Sequence, residues 1–237
     1  DIPGIQKYIF GIENRKAAKM LRGRSIFVQI LSRNFATYFL HNFQVPETNL
    51  IMLAGGKFYI IVPDTKEFAE VFIKTTDTIQ KYLSDNFLYE LNFAAGYSKF
   101  NAEEMKKGEL QFGKTIEAAT GKLNENKQKH HYKDFHNPEN NYSNLILDDF
   151  IDPIDEISDN MKCYLTDKPI LKGKGIVHTF KDSENKDISR NVYKQAFNEY
   201  LVGEKVVRDN VIIEYEDNFL NINSNRIENL DNIKEIN

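Results

Sequence analysis

The chain has one cysteine, Cys163, and no tryptophan in 237 residues. A lone thiol cannot form an internal disulfide framework, and it supplies only one of the four ligands that a structural zinc site normally uses. Long apolar runs are also missing, since no stretch approaches the ~18 residues of a membrane span. The first residues, Asp1-Ile2-Pro3-Gly4, lack the basic and apolar regions of a signal peptide. A soluble protein of the reducing cytoplasm is the expectation. Neither charge dominates, with 31 Lys and Arg against 35 Asp and Glu. No global field therefore draws nucleic acid, and any RNA contact has to be local. What is plentiful is apolar and aromatic content, at 41% and 12%, enough to bury a sizeable core in two small domains.

Met20, Phe27, Leu31, Phe35, Tyr38 and Phe39 recur at helical spacing, which predicts an amphipathic helix over 17–43 that ends near Val45-Pro46. Two apolar runs, 50–53 and 58–62, flank Ala54-Gly55-Gly56-Lys57 and predict a β-hairpin with both arms apolar enough for central strands. Thr65 opens a second helical pattern through Phe68, Val71, Phe72, Ile79 and Leu83, and strand character returns over 88–97. Helix, hairpin, helix, strand is the order of a ferredoxin-like βαββαβ core of α+β class with its first strand truncated. That strand is expected immediately before Asp1. Residues 1–129 form this palm-like domain, with 101–129 polar and helix-prone. Residues 130–159 read as a linker, and 160–237 as a small α/β accessory domain with strands at 175–180 and 211–215 and a helix at 189–201.

Several short patterns carry chemistry or imitate it. In palm enzymes a hairpin turn such as Gly55-Gly56 presents two acidic residues that hold divalent metals. Here Lys57 and Phe58 follow, neither of which supplies the anionic oxygens that magnesium requires, so no catalytic residue is assigned. Lys57 suits a phosphate or a solvated surface equally. Gly4, Ile5 and Gln6 would join first strand to first helix, where free backbone N–H groups can meet an anion or simply form a loop. Arg22, Gly23, Arg24 and Ser25 interrupt an apolar helix with a glycine that costs about 1 kcal/mol there. Either a phosphate ligand for the arginines or a helix start capped by Ser25 would account for it. Gly108 to Thr115 matches a P-loop letter for letter, yet no apolar strand precedes it, which marks a coincidence. His130, His131 and His136 with Asp134 read as solvated linker residues, so no metal site is expected.

Together these segments are more specific than any alone. Asp1-Ile2-Pro3-Gly4-Ile5-Gln6-Lys7-Tyr8-Ile9-Phe10, then Ala17-Ala18-Lys19-Met20-Leu21-Arg22-Gly23-Arg24-Ser25, then Ala54-Gly55-Gly56-Lys57-Phe58-Tyr59 resemble, in order and spacing, the large subunit of Csm-type (III-A) CRISPR interference complexes. The resemblance covers roughly residues 1–100. It implies two facing palms that share ATP and convert it to cyclic oligoadenylate when the complex engages target RNA. Only the second palm has the acidic turn, so this chain matches the non-catalytic first palm, with divalent metal entering through the second. The nucleotide-binding residues implied are Gly4, Ile5, Gln6, Arg22, Arg24, Ser25, Gly55, Gly56 and Lys57. Pro3 departs from the family's serine, which removes one hydroxyl from the loop. Implied partners are that second palm, the other complex subunits, and crRNA with target RNA. An HD nuclease domain would lie upstream in the parent subunit. The family often carries paired Cys-x-x-Cys zinc ligands after this palm; Met161 to Pro169 resembles the first half of that region with one cysteine left, and a zinc-free remnant is expected. A homodimeric nucleotide cyclase and a nucleotide-independent scaffold are the competing readings.

Overall fold

The computed structural model describes residues 1–12, 16–87, 89–103, 109–129, 162–170, 174–206, 211–215 and 222–229. The expected linker and its histidines fall outside them. The elements are α1 (Ile5–Phe10), α2 (Ala17–Asn42), the hairpin strands β1 (Leu50–Ala54) and β2 (Lys57–Ile60), α3 (Phe68–Phe87) and α4 (Glu109–Lys127), then β3 (Gly175–Lys181), β4 (Asp187–Tyr193), α5 (Lys194–Lys205), β5 (Val211–Tyr215) and β6 (Ile222–Asn229). The class is α+β, with each pair of consecutive strands forming a two-stranded antiparallel sheet. Among the described residues no helix is long and apolar enough to cross a membrane.

The chain divides into two compact units, Asp1–Ile5 with Val28–Lys133 and Gln6–Phe27 with Asp134–Asn237, so α2 contributes residues to both. In the first unit, a spacing of four puts Thr75, Ile79, Leu83 and Phe87 on the buried stripe of α3. Rings fill the core between helices and hairpin: Phe39 lies 5.7 Å from both Phe58 and Phe93, and Phe35 lies 5.7 Å from Phe93, mostly edge to face. Gly55 and Gly56 sit at φ 57° and 86°, a two-residue turn with both residues left-handed, whose twist matches the strands it joins. β1 is not the central strand its composition suggested. Among the described residues β1 pairs with β2 alone, and Ile51 is 54% exposed and Met52 39%.

Of the strand expected over 88–97, residues 89–91 form a turn with Tyr89 at φ 61°, and 92–97 run on without a regular ladder. Its alternation is intact: Phe93 and Tyr97 pack on the rings of α2 and α3, whereas Ser98 Oγ donates to Thr115 O of α4 at 2.7 Å. Its described ladder bonds run to the chain start. Asp1 and Ala94 exchange both backbone hydrogen bonds, at 2.9 and 3.0 Å, and Pro3 O accepts from the Asn92 N–H at 3.5 Å.

In the second unit β3 and β4 pair in unbroken register from Gly175↔Tyr193 to Lys181↔Asp187. The turn is held by Asp182 Oδ1, which accepts the N–H groups of Glu184 and Lys186 at 2.8 Å. The helix expected over 189–201 therefore begins later, at Lys194, because Ser189–Tyr193 answer β3 across the ladder. Gly23 also needs correction. The helix starts at Ala17, so Ser25 is no cap and Gly23 lies well inside. A Cβ on Gly23 would fall 1.8 Å from Glu199 O, and one on Gly203 would fall 1.8 Å from Lys19 O. The helical cost of Gly23 is thus offset by main-chain contact between α2 and α5.

Candidate functional site

Two loops of the first unit meet at the hairpin turn. The Ile2 N–H donates to Gly56 O at 3.0 Å, and a Cβ on Gly56 would fall 2.0 Å from Ile5 Cδ1. Gly4, at φ 93°, lies close against Glu90 O, which a Cβ would approach to 2.9 Å. These glycines are required by close approach and by left-handed backbone alike. Gly55 differs, since nothing stands within 4 Å of where its Cβ would be. The exposed side of the turn is bare main chain that another molecule can approach.

Behind the turn the side chains alternate across β2. Phe58 goes to the aromatic core, while Lys57 and Tyr59 take the other face, the ammonium 5.2 Å from the Tyr59 ring centroid. The Tyr59 hydroxyl lies 3.4 Å from Thr120 Oγ1. Lys127, in the last turn of α4, is ion-paired with the Asp1 carboxylate. Burial pushes the Lys127 ammonium down and the charge of Lys57 adds to it. Burial would raise Tyr59, yet the hydrogen bonds from Lys57 and Thr120 and the two lysine charges outweigh it and lower the phenol. The result is a cationic corner beside a carboxylate-free turn. Local sequence pattern offered no signal for Lys127, because its relation to Asp1 and Lys57 exists only in three dimensions.

Of the nine residues singled out from sequence, Gly4, Ile5, Gly55, Gly56 and Lys57 thus lie together. Gln6, Arg22, Arg24 and Ser25 belong to the second unit. Gln6 and Arg22 are exposed, with Arg22 Nε donating to Gly203 O at 3.1 Å, and Ser25 is half-buried. Arg24 is engaged throughout. Its Nε donates to Glu199 Oε2 at 2.9 Å and its Nη1 to Tyr8 O and Gly11 O at 2.6 and 3.0 Å, with the guanidinium 4.7 Å from the Tyr8 ring centroid. The Tyr8 hydroxyl donates to the other oxygen of Glu199. Arg24 and Glu199 are each 2% exposed, a buried ion pair whose lone pairs and protons are largely satisfied. Burial, then the Arg24 charge, lowers the half-buried Lys168 nearby.

Cys163 is fully buried, and its Sγ accepts the Tyr193 N–H at 3.3 Å where α5 begins. The turn carrying it closes through the Cys163 N–H to Lys168 O at 2.8 Å. Among the described residues no group of three or more His, Cys, Asp or Glu is placed to hold a metal ion. Gly113-Lys114-Thr115 lie inside α4. The Gly-Lys-Thr end of the P-loop letters is therefore helix, where the backbone N–H groups are already bonded within the helix and cannot cradle phosphate.

The family model described as Csm1 subunit domain B matches residues 1–143. A CRISPR system single-strand-specific deoxyribonuclease Cas10/Csm1 of subtype III-A from Streptococcus thermophilus is 29% identical over 105 residues, 44% of this chain and 14% of that protein. The same-named protein of Methanocaldococcus jannaschii is 39% identical over 61 residues, 26% of this chain and 8% of the relative. Among solved structures, an apo Csm1-Csm4 cassette aligns over 60% of this chain and 20% of the other, at 21% identity and a TM-score of 0.50. With its matched α+β fold and its glycine turn, the chain belongs to the Csm1 subunit domain B family, the family of type III-A CRISPR Cas10/Csm1 subunits. It spans a small part of the length of the relatives it matches.

Proposed function

We propose that this chain is the non-catalytic palm half of a type III-A effector large subunit, and that it binds ATP at an interface with a second palm for cyclic oligoadenylate synthesis. Residues 1–129 would be the ferredoxin-like palm, 130–159 the linker and 160–237 the accessory domain. The observation that carries this reading is the hairpin turn. Gly55 leaves its outer side open, Gly4 and Gly56 bring the chain-start loop against it, and Lys57 stands where metal-holding acids would be needed. Such a turn can cradle a triphosphate through main chain and ammonium, yet it lacks the paired anionic oxygens of a two-metal centre.

Gly4, Ile5, Gly55, Gly56 and Lys57 would meet the nucleotide directly, while Gln6, Arg22 and Ser25 are proposed as nucleotide contacts on the sequence resemblance alone. Arg24 would serve it by holding Tyr8 and Glu199. Divalent metal would come with the acidic turn of the second palm, and the remaining partners would be the other complex subunits, crRNA and target RNA. Titration of ATP with magnesium, with and without a Csm1-type second palm, tests the reading. Binding is expected only with both halves, weakened about tenfold or more by Lys57→Ala through loss of a charge-assisted phosphate contact. Magnesium-dependent phosphoryl transfer by the 237-residue chain alone would overturn it.

A further inference from the structure

Lys127 is buried further than its place on α4 requires. It lies in the last turn of the helix, where a lysine suits the helix dipole while remaining in solvent. Its side chain is instead 30% exposed, against 63% for Lys122 on the same helix, and it is drawn in beside the Asp1 carboxylate within reach of the charge of Lys57. Bringing two ammonium groups together away from water costs free energy in desolvation and again in repulsion. The single carboxylate of Asp1 offsets only part of that cost. What the side chains of this corner lack is a second anion.

The arrangement is held by main chain. A Cβ on Gly96 would fall 2.3 Å from Leu123 N and 2.7 Å from Ala119 O, so α4 rests directly on the stretch that follows Phe93. Asn126 Nδ2 donates to Ala95 O at 2.7 Å and fixes the end of the helix there. Thr120 and Lys127 are seven residues apart, two turns along one face of α4. Thr120 meets the Tyr59 hydroxyl at 3.4 Å, and the Lys57 ammonium stands 5.2 Å from the centroid of the same tyrosine ring. The two lysines thus come from elements locked to each other, beside the turn whose outer side Gly55 leaves open.

We propose that Lys127 is a second phosphate-binding lysine, which closes with Lys57 on one polyphosphate lying against the Gly55 turn. The two ammonium groups meet charge that a palm with an acidic turn meets through divalent metal. Asp1 acts as a positioning residue that orients Lys127. The inference rests on the nucleotide reading of this turn and adds to it that this half holds polyphosphate without magnesium.

The test titrates inorganic triphosphate into the 237-residue chain in EDTA and follows isotope-labelled lysine side chains by NMR. The Lys57 and Lys127 resonances are expected to shift together, and the lowered pKa of Lys127 to rise as the anion offsets the charge of Lys57. Lys57→Ala and Lys127→Ala should each weaken binding about tenfold or more, whereas Lys122→Ala, which removes the same charge from the same helix, should change it by less than about twofold. Excess magnesium should weaken binding, because it neutralises the probe. No binding, binding that requires magnesium, or equal losses from Lys122→Ala and Lys127→Ala overturns the proposal. The paired shift in the unaltered chain needs no variant, so it decides the matter should Lys127→Ala fail to fold. A parallel titration of ATP with a Csm1-type second palm separates the two readings. ATP affinity there that ignores Lys127→Ala sinks this inference and leaves the nucleotide reading standing. Triphosphate held by both lysines, with no ATP bound by the paired palms, sinks the nucleotide reading and leaves the anion site.

Discussion

The two units are held by opposite means. The first packs phenylalanines that touch edge to face around Phe39. The second centres on a buried ion pair, Arg24–Glu199, with Tyr8 on the free carboxylate oxygen. Rings have no obligatory partner, so losing part of one removes contacts in proportion. A buried charge is different. Its desolvation has already been offset by its partner, and removing that partner strands it. The first core should therefore fail by degrees and the second abruptly.

The sharpest way to break that comparison is to change each core conservatively. Glu199→Gln keeps the shape yet leaves Arg24 charged and unpaired, and should destabilise the second unit by about 3–5 kcal/mol. Phe39→Leu should remove about 1 kcal/mol from the first. Chemical denaturation followed by residue-level hydrogen exchange separates the two units; equal losses would erase the distinction. The next effect in size belongs to the helix crossing. Gly203→Ala sets a methyl 1.8 Å from Lys19 O, and α2 and α5 must part to admit it, at about 3 kcal/mol by the same measurement.

A further effect is one of pH and sharpens the picture of the aromatic core. Burial pushes the Tyr82 phenol up to about 12, against about 10 in the unfolded chain. A raised folded value means that stability is intact below pH 10 and is lost as pH rises from about 10 toward 12, by on the order of 2 kcal/mol. Tyr82→Phe should abolish that loss in the first unit. Tyr193 of the second unit is raised as well, by burial and then by the charge of Glu199, so the alkaline titration has to be read unit by unit.

Local chemistry made much of this legible in sequence. The glycine pair of the hairpin, the stripe of α3 and the helical period of α2 each depend on neighbours within a few residues, and each lies where pattern placed it. What escaped depends on partners far along the chain. Gly23 suggested a ligand or a helix start, because its reason, Gly203, is 180 residues away. Arg24 looked like a phosphate contact for the same cause, with Glu199 beyond the reach of any motif. Residues 189–193 looked helical because a helix follows them directly, and only the ladder to β3 shows them as strand. Phe93, Tyr97 and Ser98 keep the alternation their sequence showed, but alternation says nothing of which segment lies alongside.

The Gly23–Gly203 crossing also governs how the two helices can respond to force or heat. Where main chain rests on main chain, no rotamer can turn aside to take up slack. Sliding or tilting must carry each rod as a whole, and so the Lys19–Glu204 pair one turn away moves in step with the crossing or not at all.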